Sequence, residues 1–187
     1  MPAPPKLGWL FLGLASFSSN TAIANTFHST VGYYSLNAKT SSGKQNLSNL
    51  GVYRFLYEVE VAKKISFKPS YSLYTIATTS GLELGYGTDI EFSYFPIANN
   101  GPMSYQNANV NWETYEIFRP YASLSFHQRQ YQAIQSNYAG LGVQIGCSYQ
   151  YNQNIQITAY TASIYLTGPL SSRISEIQVG GGIGLKL

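Results

Sequence analysis

The sequence predicts an all-β chain, a transmembrane antiparallel up-and-down β-barrel of about eight strands turned apolar side out. Three observations carry this. The stretch Gly140 to Leu166 sets Leu141, Val143, Ile145, Cys147, Tyr149 and Tyr151 on one face. Gly140, Gly142, Gln144, Gly146, Ser148 and Gln150 alternate with them on the other, the period of two that a strand requires. Nearly every other run repeats the pattern. No amphipathic helix is available to cover the repeated apolar face, so lipid is left as its cover.

The elements follow in order. Leu7 to Phe17 is an apolar run behind Lys6, and Ala22-Ile23-Ala24 supplies a small-x-small cleavage site. Residues 1–24 therefore read as a secretory signal peptide, too short to span a bilayer, and residues 25–187 as one barrel domain. Thr26 to Leu36 forms a first strand with Phe27, Val31 and Tyr33 on one face. Asn37 to Asn49 is polar, contains Gly43 and reads as an exposed loop.

Leu50 to Val61 alternates Tyr53, Phe55, Tyr57, Val59 and Val61 with Arg54, Leu56, Glu58 and Glu60. Ile65 to Ala77 follows a tight turn at Ala62-Lys63-Lys64, with Lys68 on the polar phase and Pro69 marking either a bulge or a local loss of pairing. Leu82 to Phe95 sets Glu83, Asp89 and Glu91 inward. Pro96 to Asn111, with two prolines and several asparagines, reads as a structured turn or small excursion and not a strand.

Trp112 to His127 resumes the alternation with Arg119, Tyr121, Ser123, Ser125 and His127 on one face. Gln128 to Asn137 reads as an exposed loop. Thr167 to Ser172 is the last turn, and Ile174 to Leu187 closes the count with Glu176, Gln178, Gly180, Gly182 and Gly184 inward. An even number of strands returns both ends of the barrel to the same side. Phe67, Phe92, Tyr94, Tyr115, Tyr149 and Tyr151 gather at the strand ends near the short turns, and Tyr33, Tyr53, Phe126 and Tyr165 at the opposite ends, as two interfacial girdles. By that reading the loops near Lys44 and Arg129 are extracellular.

Composition narrows the function. Charged residues are 10% of the chain, against 17 Tyr and 9 Phe, which disfavours disorder and nucleic-acid binding. A net charge of +3 is too mild to name an anionic partner. Cys147, the lone cysteine, falls among the lipid-facing residues as a small hydrophobe. Two histidines without a cysteine or carboxylate cluster make no metal site, and nothing calls for a cofactor.

The leader ending Ala22-Ile23-Ala24, the repeated alternating strands, the Arg119-Pro120-Tyr121-Ala122 stretch and the glycine-rich last strand resemble the small outer-membrane barrel superfamily. That superfamily includes the transmembrane domain of outer-membrane protein A and the OmpX and OmpW types. The resemblance covers residues 25–187. It implies residence in the bacterial outer membrane as a monomer, with membrane lipid and the barrel insertion machinery as partners.

Eight strands leave an interior that side chains just fill. Arg54, Glu58, Glu60, Lys68, Asp89, Glu91 and Arg119 all fall on the inward phase and are expected to form an ion-pair plug. If Val61 pairs with Ile65, Glu58 stands opposite Lys68, and the next strand brings Glu91 towards the same ammonium. The function expected is structural or surface-interacting, with a narrow channel as an alternative. A lipid-modifying enzyme is a further alternative: Ser125, His127 and Glu83 suggest a Ser, His and carboxylate set. The outer-membrane lipid A deacylases carry His-x-Ser in a strand, however, and here the order is Ser125-Phe126-His127, so no catalysis is expected. The last alternative is a soluble lipocalin-like carrier with the phase reversed, its tyrosine-rich face lining a cavity.

Overall fold

In the computed structural model, residues 25–40, 43–78, 81–97, 103–107, 110–114, 118–131 and 136–187 are described. The expected leader at residues 1–24 and Tyr115 of the girdle lie outside them. Eight strands make a closed antiparallel barrel: β1 (Asn25–Thr40), β2 (Gly43–Ala62), β3 (Ile65–Thr78), β4 (Gly81–Tyr94), β7 (Phe118–Tyr131), β8 (Ser136–Gln150), β9 (Ile155–Thr167) and β10 (Arg173–Lys186). Each pairs with its neighbour in sequence, and β10 pairs with β1 from Thr26–Lys186 to Lys39–Arg173. That last ladder removes the sheet edges, which no spanning strand can leave open in hydrocarbon.

Between β4 and β7 the chain makes a separate two-stranded ribbon, β5 (Met103–Asn107) and β6 (Val110–Thr114), with Tyr105 opposite Trp112. The small excursion expected at 96–111 is thus built from strands, which corrects the reading against a strand there, and the barrel strand expected from Trp112 begins instead at Phe118. Five-residue strands separated by two residues give no run of alternation long enough to stand out from the asparagines around them.

The expected loops at 37–49 and 128–137 are also corrected. Strand β1 runs on to Thr40, β2 starts at Gly43, β7 reaches Tyr131 and β8 begins at Ser136. Where a strand rises beyond an apolar band its outer face becomes polar, and the alternation that marks it in the sequence fades. The pairing expected for Val61 and Ile65 fails too. An irregularity between Glu60 and Ala62 sets Ala62 opposite Ile65, while the register beyond it runs Val59–Phe67 and Leu56–Ser70. The ladder from β2 to β3 is interrupted between those two pairs, beside Pro69, which has no backbone donor to give.

The inside-out phase is plain in the burial. Tyr33 is 72% exposed and Leu141 69%, whereas Glu91 and Ser72 are 0%. A soluble carrier would need the reverse, with an apolar cavity inside. Phe92, Tyr94, Phe118 and Tyr151 stand outward near the end that holds both termini of the barrel, and Tyr33, Tyr53, Phe126 and Tyr165 near the far end. The outward apolar residues from Leu141 in β8 to Tyr151, just past its end, span a stretch long enough to cross the roughly 25 Å band of a tilted membrane strand.

Glycines on the inner face give larger side chains their room. A Cβ on Gly146 would meet the Tyr121 phenol at 2.6 Å, and one on Gly180 would meet the Tyr160 hydroxyl at 2.8 Å. The β8–β9 turn is tied by Asn152, whose Oδ1 accepts from the backbone N–H groups of Asn154 and Ile155 at 2.9 and 2.8 Å, the local bond that suits asparagine to turns. The β9–β10 turn carries Leu170 and Ser171 at φ 53° and 59°.

If the outer face meets lipid, Ile145→Arg, on that face at 62% exposure, should cost about 2 to 4 kcal/mol. Thr167→Arg, outward but beyond the apolar band, should cost about 0 to 1 kcal/mol. Urea unfolding from lipid vesicles measures both, and equal costs would place Ile145 outside the hydrocarbon.

Candidate functional site

The lumen collects the charged side chains, because alternation sends every second residue of β2, β3, β4 and β7 inward. All seven residues expected on that phase stand on the inner side, and the register decides which of them meet. Lys68 is opposite Glu91 in the β3–β4 ladder, and its Nζ lies 3.6 Å from Glu91 and 3.7 Å from Glu58. Arg54 reaches across to Glu91 Oε2 at 3.1 Å and donates to Gln144 Oε1 at 3.0 Å. Its Nε is 3.8 Å from Asp89. Glu60 and Arg119 form a pair nearer the terminal end, with Nη1 at 2.9 Å from Oε1.

Asp89 is the hub of the far half. Ser72 and Ser70 donate to its Oδ2 at 2.8 and 3.2 Å, His127 Nδ1 lies 2.7 Å from Oδ1, and Arg129 donates to the same oxygen. Beyond it Tyr131 donates to Glu176, and Gln178 reaches the other oxygen of that carboxylate at 3.0 Å. His28 Nε2 sits 3.0 Å from Glu58. Arg129, His28, His127, Gln144 and Glu176 thus belong to the network without having been expected in it.

Arg129 is the largest correction. Its place was an exposed loop, yet it is 1% exposed inside the barrel, stacked over Tyr74 with Cζ 4.7 Å from the ring centroid. The parity of β7 carries the signal: Arg119, Tyr121, Ser123, Ser125 and His127 lead in steps of two to residues 129 and 131.

Towards the terminal end of the lumen stands Phe95, the first residue after β4. Its N–H donates to Lys64 O at 2.8 Å, and its buried ring lies under Arg119, with Cζ 4.2 Å from the centroid. Lys68 stands 4.2 Å over the Tyr121 ring. Aromatic faces thus share these cations with the carboxylates.

Ser125, His127 and Asp89 stand in the order of a hydrolase triad. Ser125 Oγ is 2.7 Å from His127 Nε2, and Nδ1 faces Asp89. The carboxylate is Asp89, directly opposite His127 in the β4–β7 ladder, and not Glu83, whose side chain lies outside the described residues. Such a relay works by forming an imidazolium held by the carboxylate. Here the Arg129 guanidinium lies 2.7 Å from Nδ1 as well and shares the Asp89 oxygen with the ring. A donor from Arg129 and a proton on Nδ1 also compete for the same nitrogen. Among the described residues no group of three or more His, Cys, Asp or Glu is placed to hold a metal ion.

No protein-family model matches the chain, and no curated protein does. Solved structures do. Neisserial surface protein A aligns with 86% of this chain and 97% of its own, at 17% identity and a TM-score of 0.57. The N-terminal β-barrel domain of Pseudomonas aeruginosa OprF covers 84% and 97%, at 14% identity and a TM-score of 0.51. The outer membrane protease OmpT from Escherichia coli covers 90% and 99%, at 7% identity and a TM-score of 0.50. What this chain shares with them is the fold, that of the outer-membrane barrels.

Removing one member of a buried ion set strands the others. Lys68→Met should therefore destabilise the barrel by about 3 to 5 kcal/mol. Lys64→Met, in the exposed turn, should change stability by no more than about 0.5 kcal/mol. Urea midpoints of the two variants in micelles give the comparison, and equivalence would mean that the lumen is hydrated and the ion set unimportant.

Proposed function

We propose that this chain is an integral protein of the bacterial outer membrane whose barrel is a closed, non-conducting and non-catalytic anchor, with its interactions made on its outer surfaces. The observation that carries the reading is the ion network spanning the lumen, from Glu58 through Lys68, Glu91 and Arg54 to Asp89 and Arg129. A permeating ion would have to displace partners already neutralised by one another. Phe95 under Arg119 adds a second obstruction at one end. The apolar outer face supports the membrane setting, and the polar extension of β1, β2, β7 and β8 beyond the far girdle supports its exposure to the cell exterior.

The non-catalytic part of the proposal rests on Arg129 beside His127 and on Ser125, which is only 6% exposed and points into the filled lumen. Purified barrel reconstituted in a planar bilayer should give no stepwise current. A peptide tag inserted between Thr40 and Gly43 should be stained on intact cells, and the same tag between Lys63 and Lys64 only after the envelope is opened. Stepwise current would turn the reading towards a narrow channel, and the reverse staining would invert the barrel in the membrane.

A further inference from the structure

At the far rim, three cations share one row of the sheet. Lys39 stands opposite Arg173 in the β1–β10 ladder and opposite Lys44 in the β1–β2 ladder. Directly opposed residues project to the same side, and all three are exposed. Cross-strand neighbours are about 5 Å apart, and like charges so placed repel and destabilise the pairing. No carboxylate among the described residues forms an ion pair with any of them.

The outer surface beneath this row departs from the apolar band. Ser175 and Asn37 are cross-strand partners one outward position below Arg173 and Lys39, and both are exposed. Tyr165 pairs with Ser175 and forms one wall of an outward apolar groove of about 670 Å³ across β4, β7, β8 and β9, lined also by Phe126, Leu141 and Ser163. From the last outward apolar residue of β10, Ile177, to Arg173 is four residues of a tilted strand, on the order of 10 Å along the barrel axis. That is the depth at which a lipid headgroup begins.

We propose that this sector is a binding site for a lipid carrying phosphate on its headgroup, the phosphate lying among Lys39, Lys44 and Arg173 and an acyl chain lying in the groove beside Tyr165. Anionic oxygens relieve the repulsion within the row, and Asn37 and Ser175 offer hydrogen bonds to the headgroup below it. A soluble anion would satisfy the cations alone and leave the groove unused. The assignment rests on the far rim facing the outer leaflet, as proposed above.

The test uses the full barrel refolded into phosphatidylcholine nanodiscs doped with diphosphorylated lipid A or with the same lipid dephosphorylated. Lipid retained on extraction into mild detergent is counted by native mass spectrometry. The phosphorylated lipid should be retained and the dephosphorylated one lost. Each cation beside an anionic headgroup contributes about fivefold, so a variant with Lys39→Gln, Lys44→Gln and Arg173→Gln should lose on the order of a hundredfold in retention. Lys63→Gln with Lys64→Gln, at the opposite rim, should lose none. Ser163→Phe, which fills the groove without touching charge, should weaken retention as well.

Equal retention of both lipids, or equal loss from charges removed at either rim, overturns the site. If inositol hexakisphosphate binds as tightly as the lipid and Ser163→Phe has no effect, the occupant is a soluble anion and the lipid assignment is wrong. Insertion is read separately, as the heat-dependent gel shift of a closed barrel. A chain that shows the shift but does not discriminate the lipids overturns the site alone, and one that never inserts overturns the membrane reading with it.

Discussion

The requirement that every backbone amide find a partner within the chain governs the rest of this structure. A sheet in hydrocarbon can meet it only by closing, and here the closing ladder is β10 on β1, with fourteen pairs in register from Thr26–Lys186 to Lys39–Arg173. The glycines of β10 serve that ladder. A Cβ on Gly182 would fall 2.1 Å from Ser29 O, and one on Gly32 would fall 2.5 Å from Val179 O. The seam is therefore closed by backbones that approach more nearly than most side chains would allow.

Closure with the apolar face outward leaves the inside to polar groups, and an eight-stranded lumen is too narrow to solvate them as bulk water would. Burial of charge in such a space is tolerated only when each group is paired and its remaining hydrogen-bonding capacity is met. Asp89 illustrates the condition. It accepts from two serines of β3, meets His127 and Arg129 of β7, and stands near Arg54 of β2. A carboxylate bound from three strands resists slippage of any of them, because a shift by one residue sends the partner side chain to the outer face.

How much of this is legible in the sequence follows from where the signal is stored. Strand phase is a matter of parity, and parity alone sets Arg54, Glu58, Lys68, Asp89, Glu91 and Arg119 inward. The contacts of Lys68 are also readable, because the turn at Lys63-Lys64 is short enough to limit the register. The shift at Glu60 moves the pair at the turn, and Lys68 Nζ still lies 3.7 Å from Glu58. The partner of His127 is not readable, since β4 and β7 are joined through the β5–β6 ribbon and no turn sets their register. By sequence position Glu83 and Asp89 are equivalent candidates, and only the ladder chooses between them. Arg129 and the strand ends were obscured for a different reason. Beyond the bilayer the outer residues no longer need to be apolar, so the alternation disappears while the strand continues.

The same separation decides where function can reside. Inside the barrel the charged groups pair with one another from Glu58 to Arg129, and the Ser125–His127–Asp89 arrangement shares its carboxylate with Arg129. The apolar band faces a solvent that offers no hydrogen bonds to read. In the zone where the strands leave hydrocarbon the outward side chains are polar, among them Asn37, Lys39, Arg173 and Ser175. Three cations in one cross-strand row are costly in that zone and could have been interspersed with neutral residues at no structural loss. Their placement in one register row, above a polar step and beside an apolar groove, is the arrangement that the proposed anionic headgroup would stabilise.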